Sequence, residues 1–352
     1  MKDVEIKIGN RVISANEKPF VIAEMSGNHN QSFEKAIEIV HSAARSGASA
    51  IKLQTYTADT LTLDVKSPDF FVEDSNSLWK GEYLHGLYQK AFTPWEWHEP
   101  LFMEAKKLGL IYFSSAFDES SVDFLETLDV PAYKIASFEN AHLPLIKRVS
   151  ETGKPVIMST GMATLEEIEE SVTCARDNGC KDLILLKCTS NYPATSMNVN
   201  LATMEDLAKR FFCQVGFSDH TLGVGASVSA VAHGAVVIEK HLTKSSLDKG
   251  VDSAFSMSEE DFSMLVRECN VAWESFGKIT YGPTEEEVPS MKFRRSIYAI
   301  KAISKGDFFN QENIGIIRPG FGLHPRFFSE LLGSQAKRGF EAGDRLAESD
   351  LS

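Results

Sequence analysis

LILLKCTS, residues 183–190, places four large aliphatic residues in a row and then closes on a lysine and small polar side chains. A short run that is apolar at successive positions predicts a strand buried on both faces, as in a parallel sheet covered by helices. Seven other runs share its design: PFVIAEMS (19–26), AIKLQTY (50–56), IYFSSAF (111–117), AYKIAS (132–137), PVIMSTG (155–161), QVGFSDH (214–220) and VVIEKHLT (236–243). Helical patterns lie between them. SFEKAIEIVHSAARSG (32–47) opens on Ser32 and ends at Gly47, and TLEEIEESVTCARDNG (164–179) opens on Thr164 with Glu167 three residues on. Eight strand–helix units predict an α/β chain with a (β/α)8 TIM barrel, whose functional side chains stand at the C-terminal ends of the strands.

Two segments depart from this rhythm. Residues 57–94 are too long for a plain strand-to-helix loop and carry Phe70, Phe71, Trp79 and Tyr83, which predicts a lid over the barrel mouth. After the helical pattern that ends near Gly277, YGPTEEEVPSMKFRRS (281–296) reads as a linker with two prolines and an acidic run. The last residues form short strands around two similar turns, KGD and AGD, and predict a small β-rich domain. The expected division is a barrel over 1–280, a linker over 281–292 and the small domain over 293–352.

Composition narrows the function. The chain has 352 residues, 43% hydrophobic, with a formal net charge of −13. No basic surface for a nucleic-acid backbone or an anionic membrane is expected, so an anionic ligand must be held by a local cluster of cations. No stretch reaches the roughly 18 to 20 apolar residues of a membrane span, and MKDVEIKIGN lacks the apolar core of a signal peptide. A cytoplasmic location is expected. The cysteines, Cys174, Cys180, Cys188, Cys213 and Cys269, are odd in number and show no CxxC spacing, so they read as reduced structural thiols. Cys188, at the end of its apolar run, is the one expected to face a site.

The strand ends are rich in polar residues: Glu24 leading to Asn28 and His29; Lys52 and Gln54; Ser114 and Ser115; Lys134 and Ser137; Ser159 and Thr160; Thr189, Ser190, Asn191 and Tyr192; Ser218, Asp219 and His220; Glu239, Lys240 and His241. Alternation puts Lys52 with Gln54, and Glu239 with His241, on one face of their strands. Two lysines among serine hydroxyls suit a small molecule carrying phosphate and carboxylate, such as phosphoenolpyruvate. His220 and His241 end neighbouring strands and suit a divalent metal with open positions, with Glu239 orienting what fills them. The same histidines can instead bond their own loop and pack, and His29 can simply shape its turn.

IAEMSGNHN (22–30), IKLQ (51–54), YKIAS (133–137), MSTGM (158–162), CTSNYP (188–193), FSDHTLG (217–223) and EKHLT (239–243), followed by IIRPGFGLHP (316–325), resemble in order the motifs of the sialic acid (N-acetylneuraminate) synthase family with its C-terminal antifreeze-like (SAF) domain. The resemblance covers nearly the whole chain. It implies a TIM barrel followed by a β-clip domain, and condensation of phosphoenolpyruvate with an amino-sugar aldehyde and water, with loss of phosphate by C–O cleavage. By position it implies that Lys52, Gln54, Ser115, Lys134, Ser137, Ser159, Ser190, Asn191, Tyr192 and Ser218 surround phosphoenolpyruvate, and that His220 and His241 hold Mn, Mg or Co. Glu24 and Asp252 (in KGVDSAF, 249–255) become the candidates for proton handling, in roles that can be exchanged. Ser115 and Ser190 stand where neuraminate-making members more often have Thr and Asn. Arg318 matches an arginine that one subunit extends over the other's sugar site, which implies a domain-swapped homodimer, and Asn28 and Phe255 join it as expected sugar contacts.

MSGNHNQS (25–32) and GVDSAFSM (250–257) depart from the neuraminate pattern and resemble the pseudaminic acid synthases, which use 2,4-diacetamido-2,4,6-trideoxy-L-altrose. That sugar asks for an apolar wall, which Phe255, Phe70, Phe71 and Trp79 are placed to give. N-acetylmannosamine or a 2,4-diacetamido-trideoxy-mannose, leading to neuraminate or legionaminate, are the neighbouring alternatives. A Schiff-base aldolase acting through Lys52 or Lys134, or a carbohydrate-binding protein without catalysis, are the readings of a different class.

Overall fold

A hairpin absent from the expectation comes first. In the computed structural model, which describes residues 4–74, 77–244 and 250–351, β1 (Ile6–Ile8) pairs antiparallel with β2 (Arg11–Ile13) across Gly9-Asn10. Ile6, Ile8 and Ile13 are buried in the barrel core, and the Gln214 side chain at the start of a barrel strand donates to the Val4 carbonyl. The hairpin therefore plugs the N-terminal end of the barrel, the end away from the predicted site.

Among the described residues eight parallel strands close the barrel: β3 (Phe20–Glu24), β4 (Ala50–Thr55), β5 (Ile111–Ala116), β6 (Tyr133–Ile135), β7 (Val156–Ser159), β8 (Leu183–Cys188), β9 (Gln214–Asp219) and β10 (Val237–His241). Each pairs with its sequence neighbour, and β10 returns to β3 with His241 opposite Glu24. The apolar runs are buried throughout because helices cover the outer face and side chains fill the inner one. The expected caps are present. Ser32 accepts from Lys35 N at 3.3 Å at the head of the helix Phe33–Arg45. Thr164 and Glu167 bond reciprocally, at 3.2 and 2.7 Å, at the head of Leu165–Asp177. Such caps contribute about 1 kcal/mol each.

The long β4–β5 connection emerges at the C-terminal end of the strands. It forms the short helices Ala58–Leu61 and Leu84–Ala91, joined by an antiparallel bridge between Phe71 and Tyr83.

The chain divides into two compact units, Met1–Gly277 and Lys278–Ser352. The second has its own apolar core, including Ile297, Phe309, Ile314, Leu331 and Phe340, around the antiparallel pair β11 (Ser296–Ala299) and β12 (Ile314–Ile317). Its two anticipated turns are built alike. Asp307 caps the Ser304 N–H and Asp344 caps the Glu341 N–H, both at 2.8 Å, and Gly306 and Gly343 take left-handed φ of 93° and 99° that a Cβ would disfavour. Among the described residues no helix is long and apolar enough to cross a membrane.

Candidate active site

Strand parity selects which polar residues enter the barrel mouth. Glu24, Lys52, Gln54, Ser115, Lys134, Ser137, Ser159, Tyr192, Ser218, His220, Glu239 and His241 line one cavity of about 50 Å³, together with Cys188. The Lys52 ammonium pairs with the Glu24 carboxylate, donates to Ser115 Oγ at 2.8 Å and lies 3.8 Å from Glu239 Oε1. Lys134 donates to Ser159 Oγ at 2.7 Å and to the Ile135 carbonyl at 2.9 Å. Gly161 completes this wall: its N–H donates to Ser137 Oγ at 3.2 Å, and a Cβ there would fall 2.3 Å from Ser190 Oγ.

The charges inside this cavity are unequal in kind. Burial raises the Glu24 pKa to about 7, with Lys52 pulling against it and Glu239 reinforcing it. Burial also opposes the charge on Glu239, but Lys134 and Lys52 outweigh it and hold that carboxyl below its usual range. Burial likewise works against Lys52, whose pKa nonetheless ends above the ordinary value because Glu239 and Glu24 face it. Lys134 ends lower, burial winning over Glu239. The arrangement keeps Glu239 ionised and leaves Glu24 able to hold or release a proton near neutral pH.

The small cavity opens into a chamber of about 390 Å³ that shares Gln54, Ala136, Phe138, Tyr192 and His241 with it. Tyr56, Val72, Trp79, Leu84, Leu87, Tyr88, Phe117 and Phe255 make this chamber largely apolar, while Ser26, Glu139 and Asp252 give it polar points. Tyr192 stacks obliquely on both His220 and Phe255, with ring centroids 4.4 and 5.0 Å apart, and so joins the two spaces.

His220 and His241 stand side by side with ring centroids 5.4 Å apart. The Thr189 carbonyl lies 3.1 Å from His220 Nδ1, which takes up that nitrogen and leaves Nε2 as the ring's lone-pair donor. His241 Nδ1 and Glu239 Oε2 are buried without a hydrogen-bond partner among the described residues. Orphaned donors on one strand, beside a second imidazole, fit a divalent cation. Among the described residues no group of three or more His, Cys, Asp or Glu side chains is arranged to hold one.

The expectations for Asn28, Asn191, Phe70 and Phe71 are corrected, since none of the four lines either space. Asn28 is not at the chamber wall: its amide donates to the Leu242 carbonyl at 3.0 Å and to Ser256 Oγ at 2.9 Å and accepts from Ser253, pinning the loop that carries Asp252. Asn191 is exposed and lines neither space, although Ser190 lies 3.7 Å from Cys188 Sγ at the cavity edge. Phe70 and Phe71 miss the chamber, Phe71 packing on Tyr83 instead, and Trp79 alone of the expected lid aromatics lines it. Asp219 and Lys240 point outward and pair at 2.8 Å between strands. His29 shapes its turn by accepting from Gln31 N at 3.1 Å. Arg318 lies exposed in the second unit.

Glu139 and Ser26 escaped the sequence reading, as did the chamber aromatics Tyr56, Tyr88, Phe117 and Phe138. Glu139 lines the chamber with Oε2 buried and, among the described residues, unpartnered, and burial raises its pKa to about 7. Ser26 donates its hydroxyl to Asp252. The Cys188 thiol, whose placement was anticipated, is pushed up by burial, but its Sγ lies 3.8 Å from His220 Nδ1, and that contact prevails and brings its pKa down to about 7.

A closed parallel barrel with two buried lysines, an anionic carboxylate and a histidine pair at its C-terminal mouth defines an enzyme site for a small anionic substrate beside a second, larger one. The chain belongs to the NeuB family, whose profile matches residues 39–281, and a SAF domain follows over residues 294–352. It is 42% identical, over 98% of its length and the whole of the relative, to a pseudaminic acid synthase of Campylobacter jejuni subsp. jejuni. It is 39% identical, over 95% of its length and 98% of the relative, to a pseudaminic acid synthase of Helicobacter pylori. Among solved structures, the N-acetylneuraminic acid (sialic acid) synthetase of Leptospira borgpetersenii in complex with citrate matches with a TM-score of 0.73 at 28% identity, covering 83% of this chain and 96% of that one.

Proposed function

We propose that the protein condenses phosphoenolpyruvate with 2,4-diacetamido-2,4,6-trideoxy-L-altrose and water, releasing pseudaminic acid and phosphate in the cytoplasm. One observation carries the reading: a cavity with two buried lysines opens directly into a larger, mostly apolar chamber that bears Asp252. Phosphate and carboxylate are recognised by charge-assisted bonds from Lys52 and Lys134 and by the hydroxyls of Ser115, Ser137, Ser159 and Ser218, with Gln54, Ser190 and Tyr192 around them. The apolar wall, Phe255 included, suits a C6 methyl group and leaves a 6-hydroxyl without a partner.

In the reaction C3 of phosphoenolpyruvate attacks the aldehyde carbon of the open-chain sugar, so a C–C bond forms and positive charge develops at C2. Water adds to C2, and the tetrahedral centre collapses to the ketone as the C2–O bond to phosphate breaks. Glu24, with its pKa near neutrality and its place beside Lys52, is assigned to proton handling at these carbons. Glu239 stabilises the developing cation and orients groups at the mouth. Asp252 holds the sugar's hydroxyls. A divalent cation, Mn, Mg or Co, held by His220 and His241, would supply polarisation of the aldehyde. The protein is further assigned to a homodimer in which Arg318 of each chain serves the site of the other.

The test is phosphate release and product mass with phosphoenolpyruvate, Mn and a panel of N-acetylmannosamine and the two 2,4-diacetamido-trideoxy sugars. Release is expected with the altrose sugar and is expected to stop with chelator. Exclusive use of N-acetylmannosamine overturns the substrate. No release with any amino-hexose, or trapping of Lys52 or Lys134 by borohydride, overturns the reaction.

A further inference from the structure

Immediately after β3 the chain does something that a serine resists. Ser26 is buried, 3% exposed, and adopts a left-handed φ of 51°. A Cβ in that region crowds the following carbonyl, so the conformation belongs to glycine by preference, and its use by another residue is a cost that the surrounding structure sustains. Asn30 and Gln31, at φ of 50° and 55°, share the conformation, but Ser26 is the one of the three that lines the chamber.

The position of Ser26 is as specific as its backbone. Its N–H donates to Glu24 Oε1 at 3.0 Å, and its hydroxyl donates to Asp252 Oδ2. The next N–H, that of Gly27, reaches the same Oδ2 at 3.3 Å. One residue thus bonds both carboxylates, Glu24 at the anion cavity and Asp252 at the chamber, which are 228 positions apart along the chain. A glycine would meet the backbone angle without strain and keep both N–H bonds. What it would lose is the hydroxyl on Asp252.

We propose that Ser26 is a positioning residue for the amino-sugar substrate, whose hydroxyl fixes the Asp252 carboxylate at the chamber wall from a backbone conformation that its own side chain disfavours. The inference rests on reading that chamber as the sugar site. It explains why Asp252, on a loop far from β3 in sequence, is brought to a defined place: two donors from 26–27 converge on one oxygen, and Asn28 ties down Ser253 and Ser256 on the same loop. A merely structural serine would behave differently on replacement, because strain and hydroxyl can be removed separately.

The experiment compares wild type with Ser26→Gly and Ser26→Ala in the full chain, measuring melting temperature and the KM for each substrate by phosphate release. Ser26→Gly is expected to melt at the wild-type temperature or about 1–3 °C above it, while the KM for the amino sugar rises about tenfold or more and that for phosphoenolpyruvate stays within about twofold. Ser26→Ala is expected to show the same kinetic loss without the gain in melting temperature, because it keeps the Cβ. In an Asp252→Ala background, which has no side-chain acceptor left, Ser26→Ala is expected to add no further loss. A sugar KM unchanged in Ser26→Gly, equal losses for both substrates, or a Gly variant that melts below the Ala variant would each overturn the proposal. If wild type releases no phosphate with any amino sugar, it is the reaction that falls, and the melting order of the two variants still decides the strain on which the proposal stands.

Discussion

Breaking the outward pair between Asp219 and Lys240 is expected to destabilise the barrel more than any change at the surface. The pair joins the ends of β9 and β10, the strands that carry His220 and His241, and its side chains are 0% and 1% exposed at a separation of 2.8 Å. Each partner has other bonds, but not equally. Asp219 also accepts from Thr221 N at 2.7 Å and Ser227 Oγ at 2.6 Å, whereas Lys240 has, among the described residues, only the Thr221 carbonyl besides, at 2.6 Å. Removing one member of a buried pair costs about 3–5 kcal/mol because the other charge is left uncompensated. Lys240→Met leaves a carboxylate with two donors and belongs near the lower figure; Asp219→Asn leaves a buried ammonium facing neutral acceptors only, without its counter-charge, and belongs near the upper. Urea unfolding followed by tryptophan fluorescence reads this unit specifically, since Trp79, Trp95, Trp97 and Trp273 all precede Gly277. The double variant is expected to lose less than the sum of the two, as the charge left behind in each single variant is gone. A loss under about 1 kcal/mol in Asp219→Asn, or additivity in the double variant, would refute the argument.

Lys134→Met removes one of the two ammonium groups of the anion cavity. The loss of a charge-assisted bond of about 1.5–3 kcal/mol predicts a rise of about 10- to 150-fold in the KM for phosphoenolpyruvate with a much smaller change for the sugar, read by phosphate release. Acid sensitivity is expected from two imidazoles outside the site: His29 and His98 are buried, and burial lowers both pKa values to about 4 from an ordinary 6.5. Because the folded values lie below the unfolded one, each stabilises the fold fully above pH 6.5, by up to about 3 kcal/mol, and loses that contribution as pH falls through 4. Glu24 and Glu139, raised to about 7, act in the opposite sense, so the informative quantity is the difference between wild type and His98→Gln, which should narrow from about pH 7 to about pH 4 in urea unfolding; a constant difference would count against it.

Where the sequence was readable, the reason was periodicity, and where it was not, the reason was its absence. Eight apolar runs ending in polar residues announce a parallel barrel, and alternation puts Lys52 with Gln54 and Glu239 with His241 inside, where the cavity has them. The same alternation assigns Asp219 and Lys240 to the outside; a strand end rich in polar residues does not say which of them are turned away, but its parity does. Irregular segments carry no such rule. Trp79 and Phe71 are equally aromatic members of one long loop, yet one lines the chamber and the other packs on Tyr83, a choice made by the bridge between Phe71 and Tyr83. The hairpin at Ile6–Ile13 offered only three residues a strand around Gly9-Asn10, a signal whose weight comes from burial against the barrel and not from the run itself. Asn28 and Ser26 show the limit most clearly. Both sit in one motif, both are buried, and both reach the loop of Asp252, yet one spends its amide on backbone and serines while the other puts its hydroxyl on the carboxylate. That division is set by the left-handed turn at Ser26, a dihedral angle that no residue type other than glycine announces in advance.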